Sequence, residues 1–176
     1  MRTLILGGVR SGKSRTAAAL AQRAGGPVTL IATARALDED MAARIAAHRR
    51  ERPPDWQLIE EPLALGAAVR GAVAPGRTVI VDCLTLWLTN LMLEVPPERR
   101  ARERAALLEA IAQPVGELVL VSNEVGLGIM PPNALARRFG DEAGTLHQQI
   151  GAACEQILFM VAGVPLSVRA AAEPAR

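Results

Sequence analysis

Arg2-Thr3-Leu4-Ile5-Leu6-Gly7-Gly8-Val9-Arg10-Ser11-Gly12-Lys13-Ser14 is the stretch from which the fold of this 176-residue chain is read. An apolar run, Arg2–Leu6, passes directly into glycines and then into Lys13–Arg23, whose Ala and Leu spacing is helical. Gly7, Gly8, Val9, Arg10, Ser11, Gly12, Lys13 and Ser14 satisfy G-x-x-x-x-G-K-[ST], with the strand before and the helix after that this phosphate-binding loop, the P-loop, requires. Glycine lets the backbone wrap closely around phosphate oxygens, and the helix that follows aims its N–H groups and positive dipole end at them. Lys13 is expected to reach the β- and γ-phosphates, and the Ser14 hydroxyl to ligate Mg²⁺.

Outward from this loop, short β-branched runs alternate with stretches of helical period. Strands are expected at Arg2–Leu6, Val28–Thr33, Trp56–Glu60, Thr78–Asp82, Glu117–Ser122 and Gln156–Val161. Helices are expected at Lys13–Arg23, Glu39–Arg50, Pro62–Gly71, Leu84–Leu93, Glu98–Ala112 and Asn133–Ala153. Continuous apolar strands such as Val79-Ile80-Val81 suit a sheet covered on both faces. The pattern predicts an α/β fold of the P-loop NTPase type: a doubly wound, mostly parallel sheet flanked by helices, as one domain over 1–176 with a frayed tail after Arg169.

Composition narrows the functions. A formal charge of +2, no Tyr and 2% aromatic residues argue against a nucleic-acid surface. No apolar run approaches the roughly 18 residues of a membrane span. With no apolar leader ahead of the first strand, a cytoplasmic location is expected. Cys83 and Cys154 stand far apart without metal-ligand spacing and read as buried free thiols.

Two carboxylates fall at expected strand ends. Asp82 closes Thr78–Asp82, where P-loop proteins hold the acid that supports Mg²⁺, although strand-ending Asp also serves turns. Glu60 closes another strand and would emerge at the same carboxyl edge, or else be a surface acid beside Glu61. On the helix from Glu39, Met41, Ile45 and His48 share one face, expected to pack inward. Arg49, Arg50 and Arg52 follow it and form a local positive field. His48 is therefore either a helix-end histidine or a nucleophile whose unprotonated ring attacks phosphorus while arginines hold the phosphates. His147, without such neighbours in sequence, reads as structural.

The whole pattern closely resembles the bifunctional adenosylcobinamide kinase / adenosylcobinamide-phosphate guanylyltransferase family. The matching blocks are Gly7–Ser14, Ile31-Ala32-Thr33-Ala34, Asp40-Met41-Ala42-Ala43-Arg44-Ile45 with His48, Val81-Asp82-Cys83-Leu84-Thr85, and Ser122-Asn123-Glu124-Val125-Gly126-Leu127-Gly128-Ile129. The last, followed by Pro131, Asn133 and Leu135-Ala136-Arg137-Arg138-Phe139, is the most family-specific. The resemblance implies that ATP or GTP, with Mg²⁺, phosphorylates the aminopropanol arm of a corrinoid. His48 then takes GMP from GTP as a covalent phosphoramidate and passes it to that phosphate. It further implies that Gly7–Ser14, Ala32, Thr33, Ala34, Arg49, Arg50, Glu51, Arg52, Glu60 and Asp82 contact the guanine nucleotide, and that the protein is a homo-oligomer, typically a trimer. The Asn123–Pro132 segment would serve the corrinoid or a neighbouring subunit. This chain departs from the family in reading His147-Gln148 where Asn-Gln is common, and in carrying Gly140 where a charged residue is usual. Competing readings are a simple P-loop small-molecule kinase without a covalent intermediate, and a nucleotide-dependent switch.

Overall fold

The computed structural model describes residues 1–36, 38–112 and 115–171; the Glu51 side chain also lies outside the described residues. Among them the sheet has the order β3-β2-β4-β5-β1-β6-β7. Its strands are β1 (Arg2–Gly7), β2 (Val28–Ala32), β3 (Gln57–Glu60), β4 (Thr78–Asp82), β5 (Glu117–Val121), β6 (Gln156–Val161) and β7 (Val164–Arg169). The helices are α1 (Lys13–Ala24), α2 (Glu39–Glu51), α3 (Leu65–Ala72), α4 (Leu84–Glu94), α5 (Pro97–Ala112) and α6 (Ala134–Ala153). Strands β1 to β6 run parallel, and β7 is antiparallel to β6.

The continuous apolar strands are explained by two cores, one on each face of the sheet. Leu4, Val79, Val81, Leu118 and Leu120 pack with α3, α4, α5 and α6 around the fully buried Trp87. The residues between them, Ile5, Ile80, Val119 and Val121, turn to the opposite face and meet Ala17 and Ala21 of α1. Period-2 alternation thus sends one strand's side chains into both cores. The α1 face is thin because its contacts are mostly alanines. On the other face α3 lies against α5 at Gly66, where an added Cβ would stand 2.4 Å from the Ala106 carbonyl carbon.

The expected doubly wound, mostly parallel sheet is present, with three departures. The helix expected from Pro62 starts at Leu65. Glu61 Oε1 accepts from the N–H groups of Leu63 and Ala64 at 2.8 and 2.7 Å, closing a turn there. The Pro62 and Leu63 carbonyls meanwhile accept from Asn90 Nδ2 and Trp87 Nε1 at 3.1 and 2.8 Å, which helical geometry would not leave free. The second departure is β7, absent from the sequence reading. It returns along β6 through a two-residue turn with Ala162 at φ 50° and Gly163 at φ 83°. Lastly, residues 172–176 of the tail expected to fray lie outside the described residues, and residues before Arg169 are ordered as β7.

Candidate active site

Because β1, β4 and β2 are parallel, their carboxyl ends open on one edge, and the loops that leave them converge there. The loop Gly7–Ser14 needs its glycines for stated reasons. Gly7 has φ 153°, and a Cβ there would meet Ser11 Oγ at 2.8 Å and Met160 Cβ at 2.9 Å. Gly12 takes the left-handed conformation, φ 96°, as the residue capping α1. Behind the loop, the β6–β7 turn donates Gly163 N–H to Ser11 O at 3.1 Å. The missed strand therefore braces the phosphate loop. Ser11 Oγ is buried with no hydrogen-bond partner among the described residues, an orphaned polar atom in a loop built to surround oxygens.

Lys13, 7% exposed, folds its ammonium back over the loop, donating to Gly7 O at 3.0 Å and Gly8 O at 2.6 Å. Burial pushes its pKa down, while the nearby Cys83 and Asp82 oppose the shift. Ser14 Oγ donates to Asp82 Oδ2 at 3.3 Å, joining the loop to the end of β4. Burial pushes the Asp82 carboxyl up; His48's charge, the Ser14 hydrogen bond and Lys13 pull it back. A buried carboxylate and a hydroxyl side by side form a hard-oxygen pair of the type that takes Mg²⁺, so the donor set fits that ion.

The Arg49–Glu60 ion pair, with Glu60 at the carboxyl end of β3, holds the last turn of α2 at the same edge. The inward packing expected of its Met41–Ile45–His48 face is not observed. Met41 and Ile45 are half-buried, and His48 is exposed, so the ring stands on the solvent side of the cleft. The helix is held at its ends instead. Asp38 Oδ1 accepts from Met41 N at 2.7 Å, Glu39 and Asp40 occupy the first turn, and His48, Arg49 and Arg50 the last, matching the helix dipole at both ends. Arg49 pairs with Glu60 across to β3, which brings together two residues singled out separately from sequence. Arg50 donates to Ala46 O at 3.3 Å, and Arg52 follows α2 as its half-buried end residue.

Thr33 is placed differently from its neighbours Ala32 and Ala34, which are half-buried at the edge. It is fully buried; its hydroxyl donates to Cys83 O at 2.7 Å and accepts from Cys83 N at 2.9 Å, and its carbonyl accepts from Asn90 Nδ2 at 2.8 Å. The side chain locks the ends of β2 and β4 together. The Asp82–Cys83 peptide at this junction is cis. Cys83 and Cys154 are free and buried, as read from sequence.

Sequence reasoning missed what stands between β4 and β1. There Ser122-Asn123-Glu124 follows the end of β5. Ser122 Oγ lies 2.8 Å from Nε2 of the buried His147, Asn123 Nδ2 donates to Thr85 Oγ1 at 2.9 Å, and Glu124 N–H donates to Gly7 O at 3.0 Å. His147 thus has close company, and burial pushes its pKa down. The available signal was the polar Ser-Asn-Glu run directly after the apolar β5. Beyond it, Val125, Ile129 and Met130 are exposed on the rim of a groove of about 600 Å³ that also holds Thr89, Met92 and Phe139.

Comparison with known proteins identifies the family. A family model described as cobinamide kinase / cobinamide phosphate guanyltransferase matches residues 3–168. The bifunctional adenosylcobalamin biosynthesis protein CobP of Pseudomonas aeruginosa is 54% identical over 169 residues, 96% of this chain and 98% of that protein. CobU of Salmonella typhimurium, of the same description, is 38% identical over 182 residues, 96% of this chain and 100% of that one. The structure of the RadB recombinase, 18% identical, superposes with TM-score 0.51 over 90% of this chain and 73% of that one, a likeness of fold alone. A family model matched over residues 3–168 and a relative 54% identical over 96% of this chain mean that the chain belongs to the cobinamide kinase / cobinamide phosphate guanyltransferase family.

Proposed function

We propose that this chain, acting as one domain, phosphorylates the aminopropanol hydroxyl of adenosylcobinamide with ATP or GTP. It then transfers GMP from GTP through His48 to the new phosphate, yielding adenosylcobinamide-GDP. The observation that carries the reading is the meeting of Lys13, Ser14 and Asp82 at one edge of the sheet, where the Arg49–Glu60 pair also holds the helix turn that carries His48.

In the kinase step the backbone N–H groups of Gly7–Ser14 and the Lys13 ammonium hold the β- and γ-phosphates. Lys13 exchanges its two loop carbonyls for phosphate oxygens, and Ser11 Oγ gains the partner it lacks. Ser14 and Asp82 would hold Mg²⁺, which when bound neutralises charge on the phosphates. In the transferase step an unprotonated imidazole nitrogen of His48 attacks the α-phosphorus of GTP. The N–P bond forms as the bond from that phosphorus to the α–β bridging oxygen breaks, and pyrophosphate leaves. A phosphate oxygen on the corrinoid then attacks the same phosphorus and frees the ring. Exposure of His48 suits a nucleophile that meets two substrates in turn. Arg49, Arg50, Arg52 and Glu60 surround the nucleotide in this reading, with Ala32, Thr33 and Ala34 at its edge; Glu51 belongs to the same set, its side chain outside the described residues.

A homotrimer is part of the proposal. It is supported by the apolar edge strand β7, which exposes Val164, Leu166 and Val168, a row of the type that proteins cover by association. Two free thiols fit a reducing, cytoplasmic setting.

The test is incubation with GTP labelled at the α-phosphate. Wild type takes up an acid-labile, base-stable label that adenosylcobinamide phosphate discharges, and His48→Ala takes up none. Label that persists in His48→Ala, or none in wild type, overturns the transferase assignment.

A further inference from the structure

We propose that Glu124 is the proton acceptor for the kinase reaction, orienting the attacking hydroxyl of the acceptor substrate; this rests on the kinase half of the function proposed above. The position follows from topology. Strand β5 lies between β4 and β1, and Val121 is level with both Asp82 and Ile5, so the chain leaves the sheet between the carboxylate and the phosphate loop. Three residues on, Glu124 N–H donates to Gly7 O at 3.0 Å, the oxygen that also accepts from Lys13 Nζ at 3.0 Å. Glu124 and the phosphate-holding lysine therefore meet on a single atom.

The side chain is half-buried and forms no ion pair among the described residues, unlike Glu60, Glu94, Glu117, Glu142 and Glu155. It is nevertheless held. Oε1 accepts from Gly126 N–H at 2.5 Å, and the end of β5 is pinned by Ser122 to His147 and by Asn123 to Thr85. A fixed, half-buried carboxylate in no ion pair among the described residues, on a backbone that shares the Gly7 oxygen with Lys13, is equipped to receive a proton. The next two residues, Val125 and Gly126, line the groove that also holds Met92 and Phe139, so the chain passes from the phosphate loop to that groove through Glu124.

In the step, the hydroxyl oxygen forms a bond to the γ-phosphorus as the bond from that phosphorus to the β–γ bridging oxygen breaks. A nucleoside diphosphate leaves, and the hydroxyl proton passes to the Glu124 carboxylate and from there to water. Guanylylation has no such requirement, because its second nucleophile is an ionised phosphate oxygen. The two half-reactions should therefore respond differently to loss of this one charge.

Glu124→Gln keeps an oxygen for Gly126 N–H and removes the base. Cobinamide phosphorylation and uptake of α-label from GTP are measured on wild type and variant across pH. The expected result is a kinase kcat lowered about a hundredfold or more, the acidic limb of its pH profile lost, and nucleotide KM and the rate of label uptake within about threefold of wild type. A variant kinase kcat within about threefold of wild type overturns the assignment, as does an equal loss in both half-reactions, which would mark a structural role. A wild type that does not phosphorylate cobinamide overturns the kinase reading itself, and this assignment with it.

Discussion

Two glycines five residues apart on α3 should respond to the same substitution with opposite signs. Alanine in a helix interior is favoured over glycine by about 1 kcal/mol. At Gly71 nothing lies within 4 Å of an added Cβ, so Gly71→Ala collects that gain alone. At Gly66 the Cβ would lie 2.4 Å from the Ala106 carbonyl carbon, 2.6 Å from its oxygen and 2.6 Å from Leu107 N. These are backbone atoms, so no rotamer change relieves the clash. Helices α3 and α5 must separate, loosening Val69 against Leu107 and Ile111 in the larger core. Overpacking of this kind costs about 3 kcal/mol, leaving Gly66→Ala less stable by about 2 kcal/mol after the helical gain. At roughly 2–4 °C per kcal/mol for a chain of this size, Tm falls by about 4–8 °C in Gly66→Ala and rises by about 2–4 °C in Gly71→Ala. Thermal unfolding followed by circular dichroism decides it. A Gly66→Ala protein as stable as wild type would refute the close approach of the two helices.

Asp82→Asn should raise Tm, since burial disfavours the charged carboxylate, while lowering kinase kcat by about a hundredfold or more because an amide would hold Mg²⁺ at the phosphates more weakly than a carboxylate; calorimetry and the kinase assay check the pair. Glu155 is held at about 2 by its hydrogen bond and ion pair with Arg2, against an ordinary value of 4.5. A depressed pKa means the pair stabilises fully above about 4.5 and less as pH falls toward about 2. With 38% of the Glu155 side chain exposed, water screens the pair. Glu155→Gln should therefore cost at most about 1 kcal/mol at neutral pH, and urea unfolding should show the difference vanish on acidification rather than grow. Light scattering on wild type should give three times the chain mass, and Leu166→Lys with Val168→Lys on β7 should reduce it to a monomer.

Where residues obey one strong local rule, the structure and the sequence agree. The phosphate loop is dictated by glycine stereochemistry and the position of a lysine, and strands β1 to β6 lie within a residue of their expected limits, all but the exposed edge strand β3 being apolar on both faces. Agreement fails where the deciding force is non-local. Strand β7 carries Pro165 and turns through Ala162-Gly163 rather than the Asn-Gly that marks a hairpin, so nothing local announced it; it exists because β6 offers an open edge. His48 shares a helical period with Met41 and Ile45, yet α2 is held by its caps and the Arg49–Glu60 pair, so period did not translate into burial. Thr33 was grouped with the nucleotide contacts from a motif, and only the three-dimensional meeting of β2 and β4 reveals how its hydroxyl is used. Glu124 was quoted within a family block, but its place beside Lys13 depends on β5 lying between β4 and β1.

Strand β1 pairs with β5 on one side and β6 on the other, and the Ala162-Gly163 turn ties to Ser11. During synthesis β1 must wait for β5 and β6, which follow β2, β3 and β4 along the chain, before it has neighbours in the sheet. A nascent chain stopped short of Gly163 would have its phosphate loop in hand but no brace behind it, so nucleotide can reward folding only once the β6–β7 turn has been made.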